Sequence, residues 1–399
     1  MESGPFRACA GADGRPSGVL PMKNRFTVSR TGETGILCCG FRDQKGNSSL
    51  VCEQSMAPFE SLVRPSSEGD AEAMDRFAVM IQGSAGCGPH SQPRITLLGK
   101  TYSRHSEVST YRIETSSGLK YVVAKRICDP NPRTPQSFHT EYSALEKIRQ
   151  LAGASLVDSF PDPLFVSQEQ IVLSMVPGAP LDKKLKQTAN ALTGWFSIKR
   201  MRNTGRQIAE WLGRFHELTR CEDIGHEHGK YAAQLESLIA KCETLGVAGP
   251  GLRRVGDATL QLSRALASYS MPAAANHGDF IPQNILFHNG KLGVIDFASY
   301  SQRASVYQDI AHFVGYLVLL GGKPTYCKKP LDVLASTFLA SYPLSLNERL
   351  LRPYLIRAVL RLICDGKPAS NYLRRVQNRN VSGWLLRLAD VHERLPFSI

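Results

Sequence analysis

The chain has 399 residues, of which 42% are apolar and 21% are charged, a composition typical of a globular protein that folds in water. No stretch reaches the roughly 18 to 20 unbroken apolar residues of a membrane span, and the first residues lack the basic-then-apolar pattern of a secretory signal, so we expect a cytoplasmic protein. The formal net charge of +13 favours an anionic partner, such as a nucleotide, a phosphorylated sugar or a lipid head group. A basic surface without a specific partner is the alternative.

The ten cysteines are scattered along the chain and include no CxxC pair. In a chain of this length without a secretory signal, such spacing predicts reduced thiols rather than a disulfide framework. Structural zinc needs clustered ligands, and the sequence offers no such cluster.

Residues 1–90 differ in composition from the rest of the chain. They are rich in Gly, Ser and Pro and show no sustained helical or strand period, which predicts a loosely structured extension. Residues 91–178 then alternate short apolar runs with turn residues, which predicts a small lobe of strands around one helix. The predicted elements are strands at 94–98, 110–114, 121–127, 164–167 and 171–176 and a helix at 136–151.

Residues 179–399 are predicted to be mostly helical, because apolar residues recur at the helical spacing. Two short apolar runs, 285–287 and 293–295, interrupt this pattern. The Asn289-Gly290 pair between the two runs predicts a tight hairpin. The predicted helices are 203–218, 231–244, 258–269 and further ones from 306 to the end.

Three polar residues lie around the predicted hairpin. Asp279 precedes it in an HGD run, Asn284 lies at its entry, and Asp296 follows it in an IDF run. Carboxylate and amide oxygens are the hard ligands that Mg²⁺ prefers, so Asn284 and Asp296 are predicted to hold Mg²⁺ against phosphate oxygens. Asp279 is then available to orient an acceptor hydroxyl and take its proton.

The order of these runs resembles the aminoglycoside phosphotransferase and choline kinase branch of the protein-kinase-like superfamily. The matching features are HGDFIPQN at 277–284, the short hairpin, and IDF at 295–297. The resemblance implies an α+β fold of two lobes. A small N-lobe at 91–178 would combine an antiparallel sheet with one helix, and a larger, mostly helical C-lobe would cover 179–399.

The same resemblance implies roles for individual residues. Asp279 would be the catalytic base, Asn284 and Asp296 the Mg²⁺ ligands, and ATP the phosphate donor. Asp309, in a DIA triplet that follows the IDF run, would brace the catalytic loop rather than take part in the chemistry.

The small lobe adds residues that bind the nucleotide in the family. Lys125, in VVAK, resembles the lysine that contacts the α- and β-phosphates of ATP. The resemblance implies that Glu141, with Glu146 as the second choice, pairs with this lysine from the next helix. Met175 and Val176 resemble the hinge that contacts adenine through backbone groups.

The phosphate-covering loop of the family is expected between residues 98 and 112. This segment has one glycine, Gly99, where the family pattern has several. Ser103 and Ser106 are therefore predicted to donate hydrogen bonds to phosphate in place of the missing glycines.

These features predict an ATP- and Mg²⁺-dependent phosphotransferase that acts on a hydroxyl of a small molecule or of a glycan- or lipid-linked alcohol. The basic charge argues against a polycationic acceptor and leaves an anionic one open. Basic residues between leucines in 347–394 leave a peripheral membrane contact open as well, whereas no pattern of stacking aromatics indicates a nucleic acid.

Two alternatives keep the fold and change the function. A pseudokinase would be a nucleotide- or partner-binding module with weak turnover, and the glycine-poor loop is its only support. A protein kinase is disfavoured because HGD replaces the usual HRD and the IDF run is not followed by the glycine of DFG. The sequence does not indicate an oligomeric state.

Overall fold

The structure is a computed structural model, and it describes residues 28–30, 37–39, 41–42, 48–49 and 94–390, apart from gaps at 103–105, 116–117, 129–132, 191, 193, 246–250 and 366–371. The chain divides into two compact units, Met1–Ser66 and Ser67–Ile399. In the first unit, β1 (Val28–Arg30) pairs with β2 (Leu37–Cys39) and β3 (Phe41–Arg42) pairs with β4 (Ser48–Ser49), both antiparallel. The prediction of a loosely structured extension over residues 1–90 otherwise lies outside the described residues.

The N-lobe is a five-stranded antiparallel sheet with the strand order β5-β6-β7-β9-β8 and one long helix, α1. These elements are β5 (Arg94–Tyr102), β6 (Ser106–Thr115), β7 (Gly118–Ile127), α1 (Arg133–Leu156), β8 (Pro163–Val166) and β9 (Gln170–Ser174).

Alternating side chains bury both faces of this sheet, because successive residues of a strand face opposite sides. Val172 in β9 packs with Ile113 in one apolar cluster. Its neighbours Ile171 and Leu173 belong to the other cluster, which also contains Leu145 of α1. The helix α1 therefore covers one face of the sheet, and this apolar packing fixes its position over the strands.

The C-lobe consists mainly of helices around one large apolar core. Its helices are α2 (Leu181–Thr188), α3 (Ile198–Leu218), α4 (His228–Thr244), α5 (Leu252–Ala265), α6 (Tyr307–Gly321), α7 (Lys328–Ser341), α8 (Glu348–Asp365) and α9 (Tyr372–Ala389). α6 is buried along most of its length, including Asp309 and His312. It therefore connects polar groups that lie deep inside the lobe.

Two small antiparallel sheets complete the C-lobe, with the orders β10-β13-β14 and β11-β12-β15. In the hairpin β13–β14, Asn289 and Gly290 have φ values of 46° and 79°. Positive φ at both central residues is the geometry of a type I′ turn, which matches the twist of the two strands. The strands are β10 (Ala179–Pro180), β11 (Cys221–Gly225), β12 (Ser270–Asn276), β13 (Ile285–His288), β14 (Lys291–Val294) and β15 (Ser301–Ser305).

The predicted fold class, a two-lobed α+β protein with a small antiparallel sheet plus one helix and a larger helical lobe, is confirmed. The sheet β11-β12-β15 was not predicted, because the alanines of Ser270–Asn276 have weak strand propensity. Within the described residues, no helix combines the length and the apolar character that crossing a membrane requires.

Candidate active site

The HGD run follows β12 and forms a loop that one buried carboxylate holds in place. Asp309, in the first turn of α6, accepts the backbone N–H of His277 at Oδ2 (2.7 Å) and that of Gly278 at Oδ1 (2.9 Å). His216 of α3 donates from Nε2 to the same carboxylate at 3.4 Å. Burial alone would raise the pKa of Asp309, but the hydrogen bonds from His216 and the loop outweigh burial and lower this pKa. The carboxylate therefore stays ionised and fixes the loop.

Gly278 makes the tight course of this loop feasible. Its φ of +80° lies in the left-handed region, which glycine adopts without steric cost. A Cβ atom at this position would overlap the backbone carbonyl of Ser299. Only glycine therefore allows the loop to pass so close to the segment that follows the hairpin.

The imidazole ring of His277 ties the loop to the end of the hairpin. Its Nδ1 accepts the backbone N–H of Asp279 at 3.2 Å, and its Nε2 donates to the carbonyl of Ile295 at 3.0 Å. These two contacts require a ring that carries its proton on Nε2. The ring thereby links the backbone of Asp279 in space to the end of the hairpin, immediately before Asp296.

Asp279 and Asn284 lie against each other at the entry to the hairpin. Nδ2 of Asn284 donates to the backbone carbonyl of Asp279 at 2.9 Å and to its Oδ2 at 3.2 Å. The amide oxygen of Asn284 is left for another partner. Burial raises the pKa of Asp279 above its ordinary value, although nearby His277 and Arg361 and the hydrogen bond from Asn284 act in the opposite direction.

A second cluster joins the two lobes at the exit of the hairpin. Nζ of Lys125, in β7, lies 2.8 Å from both carboxylate oxygens of Glu141, in α1, and 3.0 Å from Oδ1 of Asp296. Burial would lower the pKa of Lys125, but the charges of Asp296 and Glu141 outweigh burial and raise it. The ammonium in turn lowers the pKa of Asp296. The sequence predicted the lysine–glutamate pair but not the contact with Asp296, which lies 171 residues away from Lys125.

Asp296 also has an unusual backbone conformation, with φ 72° and ψ 62°. A non-glycine residue in this region carries strain, and such residues concentrate at functional positions. The conformation turns the chain sharply between β14 and the 3-10 turn Phe297–Ser299. The side chain of Asp296 remains 44% exposed, so it is accessible to a ligand between the lobes.

The oxygens of Asn284 and Asp296 fit a hard divalent cation. Among the described residues, no three His, Cys, Asp or Glu side chains form a group that could enclose a metal by themselves. A site with one carboxylate and one amide suits a cation that completes its coordination with phosphate oxygens and water, as Mg²⁺ does.

Three of the four remaining predicted residues belong to the part of the N-lobe that the structure describes. Met175 and Val176 follow β9 on the way to the C-lobe, and the N–H of Met175 already donates to the carbonyl of Tyr121 at 3.0 Å. Ser106 is the first residue of β6. Ser103 lies outside the described residues. The second-choice partner Glu146 does not contact Lys125, whose carboxylate partners in the described chain are Glu141 and Asp296.

The chain has two lobes, an HGD loop held by Asp309, and a lysine–carboxylate cluster between the lobes. Together these features are those of a protein with a kinase-like fold. A family model described as the phosphotransferase enzyme family matches residues 100–342, which is more than half of the chain. The chain belongs to this family, and the predicted family and the predicted enzyme class, a phosphotransferase with an alcohol group as acceptor, are confirmed. No curated protein sequence matches the chain at a significant level.

Solved structures share the fold at low sequence identity. A glucosamine kinase in complex with glucosamine, ADP and inorganic phosphate is 14% identical, with a TM-score of 0.52 over 88% of this chain and 87% of that chain. A Thermobifida fusca protein designated a fructosamine-3-kinase is 18% identical, with a TM-score of 0.50 over 78% and 97%. The ternary complex of APH(2'')-IIa with streptomycin and ATP is 17% identical, with a TM-score of 0.45 over 79% and 96%.

Proposed function

We propose that the chain transfers the γ-phosphate of ATP to a hydroxyl of a small molecule or of a glycan- or lipid-linked alcohol. The observation that carries this proposal is the contact of Lys125 with both Glu141 and Asp296. A cation suited to phosphates and oxygen ligands suited to a metal thus lie side by side between the lobes, next to the HGD loop. Phosphoryl transfer requires this combination of positioning and charge neutralisation.

In this proposal the residues at the exit of the hairpin bind the nucleotide. Lys125 contacts the α- and β-phosphates, and Glu141 orients it. Asn284 and Asp296 hold Mg²⁺, which when bound would neutralise the phosphate oxygens. Residues 91–178 form the nucleotide-binding domain, in which Ser103, Ser106, Met175 and Val176 are the further proposed contacts to phosphate and adenine.

Asp279 acts as the general base on the acceptor. Its carboxylate takes the proton of the acceptor hydroxyl while the hydroxyl oxygen bonds to the γ-phosphorus and the bond from that phosphorus to the ADP oxygen breaks. Burial raises the pKa of Asp279, which makes the carboxylate a stronger proton acceptor than an exposed aspartate. Asp309 does not contact the acceptor and acts by holding the loop that carries Asp279.

A small-molecule acceptor has independent support. The family to which the chain belongs and the solved glucosamine kinase of the same fold are consistent with it. The alternative, a pseudokinase that binds nucleotide without turnover, is disfavoured because the chain retains Asp279, Asn284 and Asp296, the three residues that this proposal needs for turnover.

The experiment that tests the proposal is a thermal shift with Mg-ATP on the natural chain and on an Asp296→Asn variant. We expect a stabilisation that depends on Mg²⁺ and is lost in the variant. Transfer of labelled γ-phosphate to a panel of sugars and amino alcohols then follows, with Asp279→Asn as the inactive control that still binds Mg-ATP. No shift at about millimolar ATP would overturn the proposal, because cellular kinases bind ATP at or below that range.

A further inference from the structure

A cavity of about 1140 Å³ opens on the C-lobe. Its walls come from β11, the first half of α4, β12, β15, α6 and α8. None of the predicted site residues lines it. Its volume slightly exceeds the roughly 300–1,000 Å³ that is usual for small-molecule sites, so it can hold a sugar-sized acceptor.

The cavity wall is basic. Lys230, Arg303, Arg357 and Arg361 line it, against the acidic Asp223 and Glu227. Both acids are already paired with basic side chains. Glu227 lies 3.3 Å from Lys230, and Asp223 lies 3.2 Å from Arg220, which does not line the cavity. The positive charge that remains belongs mainly to the arginines.

Arg357 is the most informative of these arginines. Its Nη1 donates to the amide oxygen of Gln234 at 2.6 Å, and its guanidinium lies over the rings of Tyr231 and Tyr354, at 5.6 and 5.1 Å from their centroids. Among the described residues no carboxylate lies within 4.0 Å of it. Burial lowers the pKa of Arg357, which reflects the cost of keeping this charge without an anion.

Arg361 lies one turn further along α8 on the same side of the helix, since residues four apart are neighbours on a helix surface. Its Nε is 3.6 Å from a carboxylate oxygen of Asp365, whose side chain is 58% exposed. An exposed pair at this distance is weak, so Arg361 can exchange this partner for a ligand.

Two buried histidines supply a second, independent indication of a ligand. His226 and His312 line the cavity and are each 4% exposed. The Nδ1 atom of each has no hydrogen-bond partner among the described residues. Burial lowers the pKa of both rings, that of His312 to about 3, so both are neutral at physiological pH. Buried ring nitrogens without a partner are costly, so the wall of this cavity contains two polar groups that the described residues leave unsatisfied.

The cavity is connected to the catalytic loop. His312 lies one helical turn after Asp309, whose carboxylate holds the HGD loop. Arg361, which lines the cavity, is close enough to Asp279 for its charge to oppose the rise in pKa that burial causes there. An acceptor in the cavity therefore lies within the electrostatic reach of the proposed base.

Building on the proposed function, we propose that the acceptor of this enzyme carries an oxyanion, a carboxylate or a phosphate, which Arg357 and Arg361 bind while a hydroxyl of the same molecule reaches Asp279. Two guanidinium groups on one helix face suit such a group, because arginine binds oxyanions through two parallel hydrogen bonds. The chemical class is a hydroxy acid or a phosphorylated polyol. A polycationic acceptor would meet like charge on this wall.

The test uses the full chain saturated with Mg-ADP, so that the nucleotide site is occupied. Calorimetric titrations are made with inorganic phosphate and with four matched hexoses: glucose, glucuronate, glucose 6-phosphate and glucosamine. We expect phosphate and at least one anionic hexose to bind, and the neutral and cationic hexoses to bind more weakly. The comparison of glucuronate with glucose 6-phosphate distinguishes a carboxylate from a phosphate.

Arg357→Met is the decisive variant, because methionine keeps an apolar stem against the two tyrosines and removes the charge. We expect its Kd for phosphate to rise about tenfold or more, as for the loss of a charge-assisted pair. Arg361→Gln provides a second variant with less risk to folding. Arg253→Met, on the exposed face of α5, is the matched control and should bind as the natural chain does.

The inference is overturned if phosphate does not bind at up to about 20 mM. It is equally overturned if Arg357→Met binds phosphate as tightly as Arg253→Met, or if glucosamine binds more tightly than both anionic hexoses. A loss of the Mg-ADP stabilisation itself would instead count against the proposed function, so the two failures are distinguishable.

Discussion

Two clusters of charge in this molecule differ in how they are neutralised. Between the lobes, the Lys125 ammonium has three carboxylate oxygens within 3.0 Å. In the C-lobe cavity, the Arg357 guanidinium has one amide oxygen and two aromatic rings as neighbours. The cation of the first cluster is neutralised by carboxylates of the protein, whereas the cation of the second is not.

This difference separates two tasks. A cation that is neutralised by two carboxylates holds a fixed position before any ligand arrives, and such preorganisation is what a phosphate-binding lysine needs. A cation without a carboxylate destabilises the empty protein and gains most from an anionic ligand. Opposite effects on stability are therefore expected when each cluster is altered.

The largest effect is expected from Glu141→Ala. Glu141 is 1% exposed, and its removal leaves the half-buried Lys125 with only Asp296 as a carboxylate partner. Breaking a buried pair on one side typically lowers the free energy of unfolding by about 3–5 kcal/mol. Urea denaturation of the natural chain and the variant at neutral pH measures the change.

A double variant shows whether this loss comes from the unpaired charge. In Lys125→Met/Glu141→Leu both charges are absent and the volume is kept, so the free energy of unfolding should recover to within about 2 kcal/mol of the natural chain. Equal instability of the single and the double variant would show that the packing of α1, and not the charge of Lys125, accounts for the loss.

A smaller effect is expected from Asp309→Asn. The amide oxygen of the variant can still accept one of the two loop N–H groups, those of His277 and Gly278. The amide nitrogen is a donor and cannot accept the other. The loss of a hydrogen bond to a charged group lowers the free energy of unfolding by about 1.5–3 kcal/mol. The same variant should lower the turnover while leaving Mg-ADP binding unchanged, because Asp309 holds the loop and does not contact the nucleotide.

The natural chain and Asp309→Asn should differ in their free energy of unfolding by an amount that depends on pH, because the pKa of Asp309 is lowered in the folded chain. Because the pKa is lower in the folded chain than in the unfolded chain, where it is about 3.9, the stabilisation is complete above that value and is lost as the pH falls through the folded pKa. The gap between the natural chain and Asp309→Asn should stay constant from about pH 7 to pH 5 and shrink below about pH 4. A gap that is constant down to about pH 3 would contradict this assignment.

The smallest effect on stability, and the one with the opposite sign, is expected from Arg357→Met. The substitution removes a charge that has no carboxylate partner and keeps an apolar stem on Tyr231 and Tyr354. The free energy of unfolding should stay within about 1 kcal/mol of the natural chain or rise. A destabilisation of about 3 kcal/mol or more would show that Arg357 is structural and that the comparison of the two clusters does not hold.

Local signals made much of the fold predictable from the sequence. The Asn289-Gly290 pair required positive φ at two successive residues, and the structure has a hairpin turn there. The alternation of apolar residues predicted the strands of the N-lobe, although their ends differ by several residues; β6, for example, begins at Ser106 rather than at Thr110. Turn chemistry and period are properties of short segments, so a single sequence displays them.

The cavity could not be predicted in this way. Its walls come from six elements spread between residues 223 and 361. The basic residues among them do not form a sequence motif together with the HGD run. In the sequence, Arg357 is one of the basic residues between leucines in 347–394, and His312 lies in the helical part of the chain that is predicted from residue 306 onward. The contact of Lys125 with Asp296 could not be predicted for the same reason, since it depends on how the two lobes meet.

Gly278 gives a criterion for sorting distant relatives of this chain. Any side chain at this position would overlap the carbonyl of Ser299, and the backbone there has φ +80°. A relative with another residue at the equivalent position must route the loop differently, whatever it retains at the positions of Asp279, Asn284 and Asp296. Sequences that keep the acidic residues but lose this glycine are therefore the first in which to look for proteins that retained the architecture and abandoned turnover.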